Sequence, residues 1–211
     1  MPSWIIENAE VIGMIANVAM VVVWITYLNL FLVSFMRQNR SVLHISRAAS
    51  EHSKGRCLVT NMGSQNVYIL AVVIDIDTED GRSRALVTDR EEMSENDVDD
   101  MLERTLQGPL GSGEARDMGS FEDLARRAQA RLGAPFDVHY CNGMTITVVA
   151  APNQVKSLVG GCKRFDIRAV DDPAEPRFVP TTLLSPQITG PFKTKRLARM
   201  IKERPASVKP R

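Results

Sequence analysis

Cysteine is scarce in this 211-residue chain: Cys57, Cys141 and Cys162 are far apart, odd in number and include no Cys-x-x-Cys. A fully paired disulfide framework, a zinc knuckle and a thioredoxin-like redox pair are thereby excluded. Three scattered thiols suit a reducing compartment, where the ordinary place of a free cysteine is a buried, small apolar position. Histidine is equally scarce, and nothing in the spacing of His44, His52 and His139 gathers them. The zinc hydrolase and deaminase signatures are absent, as is the G-x-S-x-G nucleophile elbow. No Walker, dinucleotide-binding or kinase glycine loop occurs. The glycines of 108–113 precede no G-K-[ST] and follow no apolar strand, so they read as a turn. Asp97, Asp99 and Asp100 lack EF-hand spacing and read as a solvated acidic face. No catalytic residue, cofactor or metal ligand is assigned, and the chain reads as non-enzymatic. An enzyme with scattered site residues is the remote alternative.

Charge is missing in one place above all. Residues 11–35 contain no charged side chain, and no Lys or Arg precedes Arg37. Twenty-five such residues cross a hydrocarbon core of about 30 Å at about 1.5 Å each, with some tilt. A secretory signal needs a basic leader and a small-residue cleavage site; here Glu7 and Glu10 precede the run and Met36-Arg37-Gln38-Asn39-Arg40 follows it. The expectation is an uncleaved single transmembrane helix over 11–36, with 1–10 a short extracytoplasmic N-terminus. Arg37, Arg40 and Arg47 follow the span, so the positive-inside rule places the remainder in the cytoplasm.

Within the span, Gly13, Asn17, Met20, Trp24, Tyr27, Phe31 and Ser34 recur at alternating spacings of four and three. That heptad seam predicts a helix–helix contact, with a second copy or with another membrane protein.

Beyond a juxtamembrane segment, 37–55, whose 42–46 stretch alternates like a strand or a lead-in, the period becomes two. Strands are expected at 56–61, 67–77, 83–88, 136–141, 144–151, 164–170 and 177–184, with Asp80-Gly81 and Asn142-Gly143 as hairpin turns. Acidic residues from Ser94 onward predict a helix near 94–106, ended by a loop at 108–113. Ser120-Phe121-Glu122-Asp123 opens a second helix, 120–132, as a capping box. The 56–189 region is therefore expected to be a mainly-β, immunoglobulin-like sandwich with helical insertions; an α+β domain is the alternative.

Trp24-x-x-Tyr27-Leu28-x-x-Phe31-x-x-Ser34 runs into Arg37-Gln38-x-Arg40-Ser41, followed by Cys57-Leu58-Val59-x-Asn61-Met62 and Gln107-Gly108-Pro109-Leu110-x-x-Gly113. These stretches resemble an uncharacterised group of bacterial single-span inner-membrane proteins, over about the first two thirds of the chain. The resemblance implies a bacterial inner-membrane protein with a β-rich cytoplasmic domain, and no activity.

Charge is also segregated. Residues 79–123 hold fourteen acidic side chains against five Arg, whereas 193–211 hold eight basic ones against Glu203. The 190–211 tail opens at Pro191 as a basic helix, with Phe192, Leu197, Met200 and Ile201 on one narrow face. Lys193, Lys195, Arg196, Arg199, Lys202 and Arg204, with Arg37 and Arg40, are candidates for contact with the membrane surface or with a partner. Docking on the acidic 89–103 stretch competes with that. Nucleic acid is disfavoured, because no aromatics interleave with the charge. The expected function is a membrane-anchored scaffold or interaction protein, with the lipid bilayer and a protein partner or a second copy as its contacts. Its alternative is an accessory subunit of a channel or transporter.

Overall fold

A computed structural model describes residues 4, 8–38, 41–49, 54–79, 81–88, 105–132, 141–152, 158–170 and 172–202. The chain divides into two compact units, Met1–Arg40 and Ser41–Arg211. The first is one helix, α1 (Ala9–Gln38). Its Ala9–Met36 portion is long and apolar enough to cross a membrane, and none of its apolar window is buried within the protein. Thr26 hides its hydroxyl by donating to the Val22 carbonyl at 2.8 Å, so an apparent polar interruption costs little in an apolar medium.

The second unit is mostly antiparallel β. Its strands are β1 (Leu43–Ala48), β2 (Arg56–Asn61), β3 (Val67–Thr78), β4 (Gly81–Val87), β5 (Gly108–Leu110), β6 (Ala115–Ser120), β7 (Gly143–Pro152), β8 (Val159–Val170), β9 (Asp172–Pro180) and β10 (Gln187–Ile188). The helices α2 (Phe121–Leu132) and α3 (Pro191–Lys202) complete it. The larger sheet runs β10-β8-β7-β3-β4, with β5 also on β3 and β9 also on β8; the smaller runs β1-β2-β6. One continuous core joins them. Leu43, Ile45, Cys57 and Val59 of the small sheet meet Val72, Ile74, Ile76, Ile146 and Val148 of the large one, with Phe121 and Leu124 of α2. Alternation along β3 and β7 sends these side chains to one face. It sends Ala71 and Val149 to the other, where Leu197 of α3 covers them.

Ser120 caps α2: its Oγ accepts from the Asp123 amide at 3.0 Å and donates to the Asp123 carboxylate at 2.6 Å. The cap delivers Phe121 into the core, stacked on Phe178 at 4.7 Å and edge-on to Phe165 at 4.8 Å.

Several expectations need correction. The 42–46 stretch is no lead-in: β1 pairs with β2 along its length and buries Leu43 and Ile45, so the domain begins at Ser41. The 108–113 loop contains β5, paired with Val67–Ile69, and β6 was not expected at all. Leu106 lies in a bend, not a helix, and is fully buried; the rest of the expected 94–106 helix, to residue 104, lies outside the described residues. Asn142-Gly143 is not a hairpin turn. Gly143 pairs with Asp77 on one side and Asp166 on the other, leaving β7 no edge for a preceding strand. The 136–141 strand itself lies outside the described residues except for buried Cys141. Along the strands expected at 164–170 and 177–184, β8 starts earlier, at Val159, and β9 spans Asp172–Pro180.

Candidate functional site

Two surfaces stand out, one carrying residues singled out in the sequence and one that the sequence did not announce. The first is the stripe on α1. Gly13, Asn17, Met20, Trp24, Tyr27, Phe31 and Ser34 all lie in the helix, and all are exposed within the protein. A straight helix drifts by about 20° per heptad, so the seven residues stay on one side over three heptads. Gly13 has no atom near its missing side chain, leaving room for a second backbone. Phe31 stacks on Phe35, with centroids 6.3 Å apart.

The second surface is the end of the domain where β1 begins. One edge of β1 pairs with β2; side chains from far along the chain occupy the other. Gln187 accepts from the Leu43 amide at 3.0 Å and donates to the Leu43 carbonyl at 2.7 Å, so its side-chain amide stands in for a peptide group. Ser185 Oγ accepts from the Ile45 amide at 2.8 Å and donates to its carbonyl. Together they satisfy an edge that would otherwise be open to strand addition. At the same end, the Met62 amide donates to the Val42 carbonyl at 2.8 Å. Fully buried Asn61 ties the following turn together: it donates to the Gln65 and Leu110 carbonyls and accepts from the Gly63 amide.

Polar groups inside the domain serve packing. Lys163 is 4% exposed and donates to the Leu183 carbonyl at 3.1 Å. Burial pulls its amine below the usual lysine range. Burial, and then the Lys163 charge, pulls His44 down; its ring nitrogen lies 3.4 Å from Ser185 Oγ. Burial pushes the Cys57 thiol up to about 12, with Asp117 adding to the shift. A thiol held protonated in this way is no nucleophile at neutral pH.

Sequence reasoning missed the charged ladder on the face of the large sheet opposite the core. Arg84 grips Asp75 through two bonds of 2.5 and 2.9 Å; Arg82 grips Asp77 at 2.5 and 3.1 Å. Arg164 reaches Asp77 as well, and bonds Asp166 at 3.1 Å. That reach passes over Gly143, where a Cβ would come within 2.8 Å of the guanidinium. The Arg82 bond, more than Arg164, holds the Asp77 carboxyl below its ordinary range. The signal was present: Asp75 with Arg84, and Asp77 with Arg82, are equidistant from the β3–β4 turn and so face each other across the hairpin.

The basic candidates are only partly brought together. Lys193, Lys195 and Arg199 are exposed along α3. Arg196 and Lys202 belong to α3 and Arg37 to α1, but only their backbones are described; Arg40, Arg204 and the acidic 89–103 stretch lie outside the described residues. The expected apolar face of α3 is narrower than the sequence suggested. Leu197 is buried and Met200 and Ile201 pack beside it, whereas Phe192 is 86% exposed. Among the described residues, no group of three or more His, Cys, Asp or Glu could hold a metal ion.

No family model, curated protein or solved structure matches this chain.

Proposed function

We propose that this protein is a non-enzymatic, membrane-anchored interaction protein: α1 fixes it in a bacterial inner membrane, and the β-rich domain presents a cytoplasmic surface to a protein partner. The observation that carries this reading is a 28-residue apolar helix with no burial inside the protein, joined to a separately compact domain. Arg37, Arg40 and Arg47 on the C-terminal flank, against a leading segment without basic residues, favour an N-terminus outside. The finer description of the domain, an immunoglobulin-like sandwich, and the kinship with single-span bacterial proteins belong to the same proposal. Two antiparallel sheets around one core support the first.

The stripe on α1 favours self-association through the membrane as the protein contact. Exposed Asn17 and Tyr27 gain a partner there that lipid does not supply. In a membrane two-hybrid assay, Asn17→Leu with Tyr27→Leu is expected to weaken the self-association signal by several-fold; an undiminished signal removes the stripe as a contact. The same stripe supports a second reading, an accessory subunit seated on a polytopic channel or transporter. A stable complex with such a protein after purification in mild detergent, in place of a self-associated form, would favour that reading.

A further inference from the structure

The covalent link between α1 and the domain is short. Residues 39–42 are all that separates the last residue of α1 from Leu43. At no more than about 3.6 Å per residue, β1 starts within about 18 Å of the helix end. The start of β1 therefore stays near the headgroup layer if α1 spans the bilayer.

What else lies at that end follows from the pairing along β1. Gln187 bonds Leu43 and Ser185 bonds Ile45, so the 185–187 segment runs antiparallel to β1. Residues after Gln187 therefore continue past Leu43 towards Ser41. The helix α3 begins three residues after Ile188, which pairs with Gly160, and there Phe192 is 86% exposed with Lys193 and Lys195 exposed beside it. Met62, bonded through its amide to Val42, is 62% exposed at the same end. Among the described residues, acidic Glu114 stands close by: its backbone carbonyl accepts from the Asn61 amide at 3.0 Å, and its carboxylate accepts from the Gly111 amide at 2.6 Å. Leu197, in the second turn of α3, seats against Ala71 and Val149 and clamps the helix to the sheet. Leu183, 89% exposed, lies on the Ile45 side of the pairing with β1, its carbonyl at Lys163.

We propose that this end of the domain docks on the lipid surface, with Phe192 and Met62 entering the interfacial layer and Lys193 and Lys195 against lipid phosphates. The proposal rests on the reading of α1 as the membrane span. Two exposed apolar side chains beside two ammonium groups suit an anionic bilayer surface, where amphipathic side chains sit with their apolar part buried and their charge at the phosphates. Each lysine near such a surface shifts the docking equilibrium by about fivefold. The short tether makes docking intramolecular, so weak contacts suffice. The domain would then lie against the membrane and offer partners its far end.

The test uses the full chain in vesicles of phosphatidylcholine alone, and of equal parts phosphatidylcholine and phosphatidylglycerol, containing lipids brominated near the headgroup or deep in the chain. Three variants report by tryptophan quenching. Trp4→Phe leaves Trp24 as the sole indole. Trp4→Phe/Trp24→Phe with Phe192→Trp, or with Leu183→Trp, places a sole indole in α3 or on the Ile45 side of the pairing; both positions are highly exposed, so neither change disturbs the core. Trp24 is expected to be quenched by deep bromines, and failure there refutes the anchor itself. With Trp24 so quenched, the indole at 192 is expected to be quenched by shallow bromines several-fold more than the one at 183. The excess should be larger with phosphatidylglycerol and fall by about thirtyfold in docking equilibrium with Lys193→Gln/Lys195→Gln. Equal quenching at 192 and 183 overturns the docking while leaving the anchor standing. Quenching at 192 indifferent to both lipid charge and the lysine changes overturns the phosphate contact.

Discussion

Replacing Gly161 with alanine probes the joint between β1 and the large sheet. A Cβ at position 161 would lie 2.7 Å from the Leu43 carbonyl oxygen and 3.1 Å from the Leu43 Cβ. The first of these is a backbone atom in a strand held on one edge by β2 and on the other by Gln187, so it cannot simply turn aside. Relief requires β1 to lift. Overpacking of this kind costs about 1–3 kcal/mol. Against it stands the about 0.4–1 kcal/mol by which Gly→Ala stiffens the unfolded chain. The net is a destabilisation of about 1.3 kcal/mol, or about tenfold in the unfolded fraction. Gly160→Ala is the internal comparison. Its Cβ would meet Leu197 Cδ1 at 3.0 Å and the Val148 carbonyl at 3.1 Å; the former is a side-chain tip that can rotate, so the change should cost under about 1 kcal/mol. The assay is maleimide labelling of Cys57, which is fully buried and reacts only when the domain opens, read by mass spectrometry on the full chain in mild detergent. Labelling about tenfold faster in Gly161→Ala, with a smaller change in Gly160→Ala, is expected. Labelling no faster than in the unaltered chain refutes the packing of β1 against β8.

Ser120→Ala removes the cap of α2 and is expected to lower stability by about 1 kcal/mol in urea unfolding, with Ser120→Thr, which keeps a hydroxyl, recovering most of it. Cys57, raised from 9.0 to about 12, keeps its proton in the folded state over a window where the unfolded chain releases it. Stability should thus fall as pH rises from about 9 to about 12, by at most about 1.4 kcal/mol per pH unit, and Cys57→Ala should flatten that slope. Asp77, lowered from 3.8 first by Arg82, contributes stability that is present above that value and lost as pH falls through its depressed one. His44, lowered from 6.5, acts in the same direction at higher pH, because the unfolded chain takes up the proton first. An acid titration of Asp77→Asn should show a shallower loss below pH 4, and an unchanged limb would contradict the Arg82–Asp77–Arg164 linkage.

What could be read beforehand divides by the range over which the signal acts. The uncharged run makes α1 legible, and the β-branched stretch at 67–77 makes β3 legible, because both patterns repeat within one element. The capping serine of α2 is equally local. The strand β5 is three residues long and carries Pro109, and β6 reads Ala-Arg-Asp-Met-Gly-Ser, with only Met118 and Gly119 buried. Neither has a period to detect; each is a strand because β3 or β2 offers it an edge. The dipeptide Asn142-Gly143 carries a strong turn signal, and the two neighbours of β7 override it. The end of the domain that forms the candidate surface was invisible for a similar reason. It depends on Gln187 finding Leu43 and Ser185 finding Ile45 more than a hundred residues away, which no local spacing announces. The basic residues of α3 were visible as charge; that Phe192 stands out of the helix's buried face was not, because it depends on where Leu197 seats.

The central claim is that α1 holds the protein in a membrane. It is tested most directly by fractionating cells that produce the full chain and a form lacking residues 1–38, washing the membranes with alkaline carbonate, and locating each by immunoblot. The account predicts that the full chain stays in the washed membrane and that the shortened form is recovered in the soluble fraction. A full chain released by carbonate, or a shortened form that remains in the washed membrane, would contradict it.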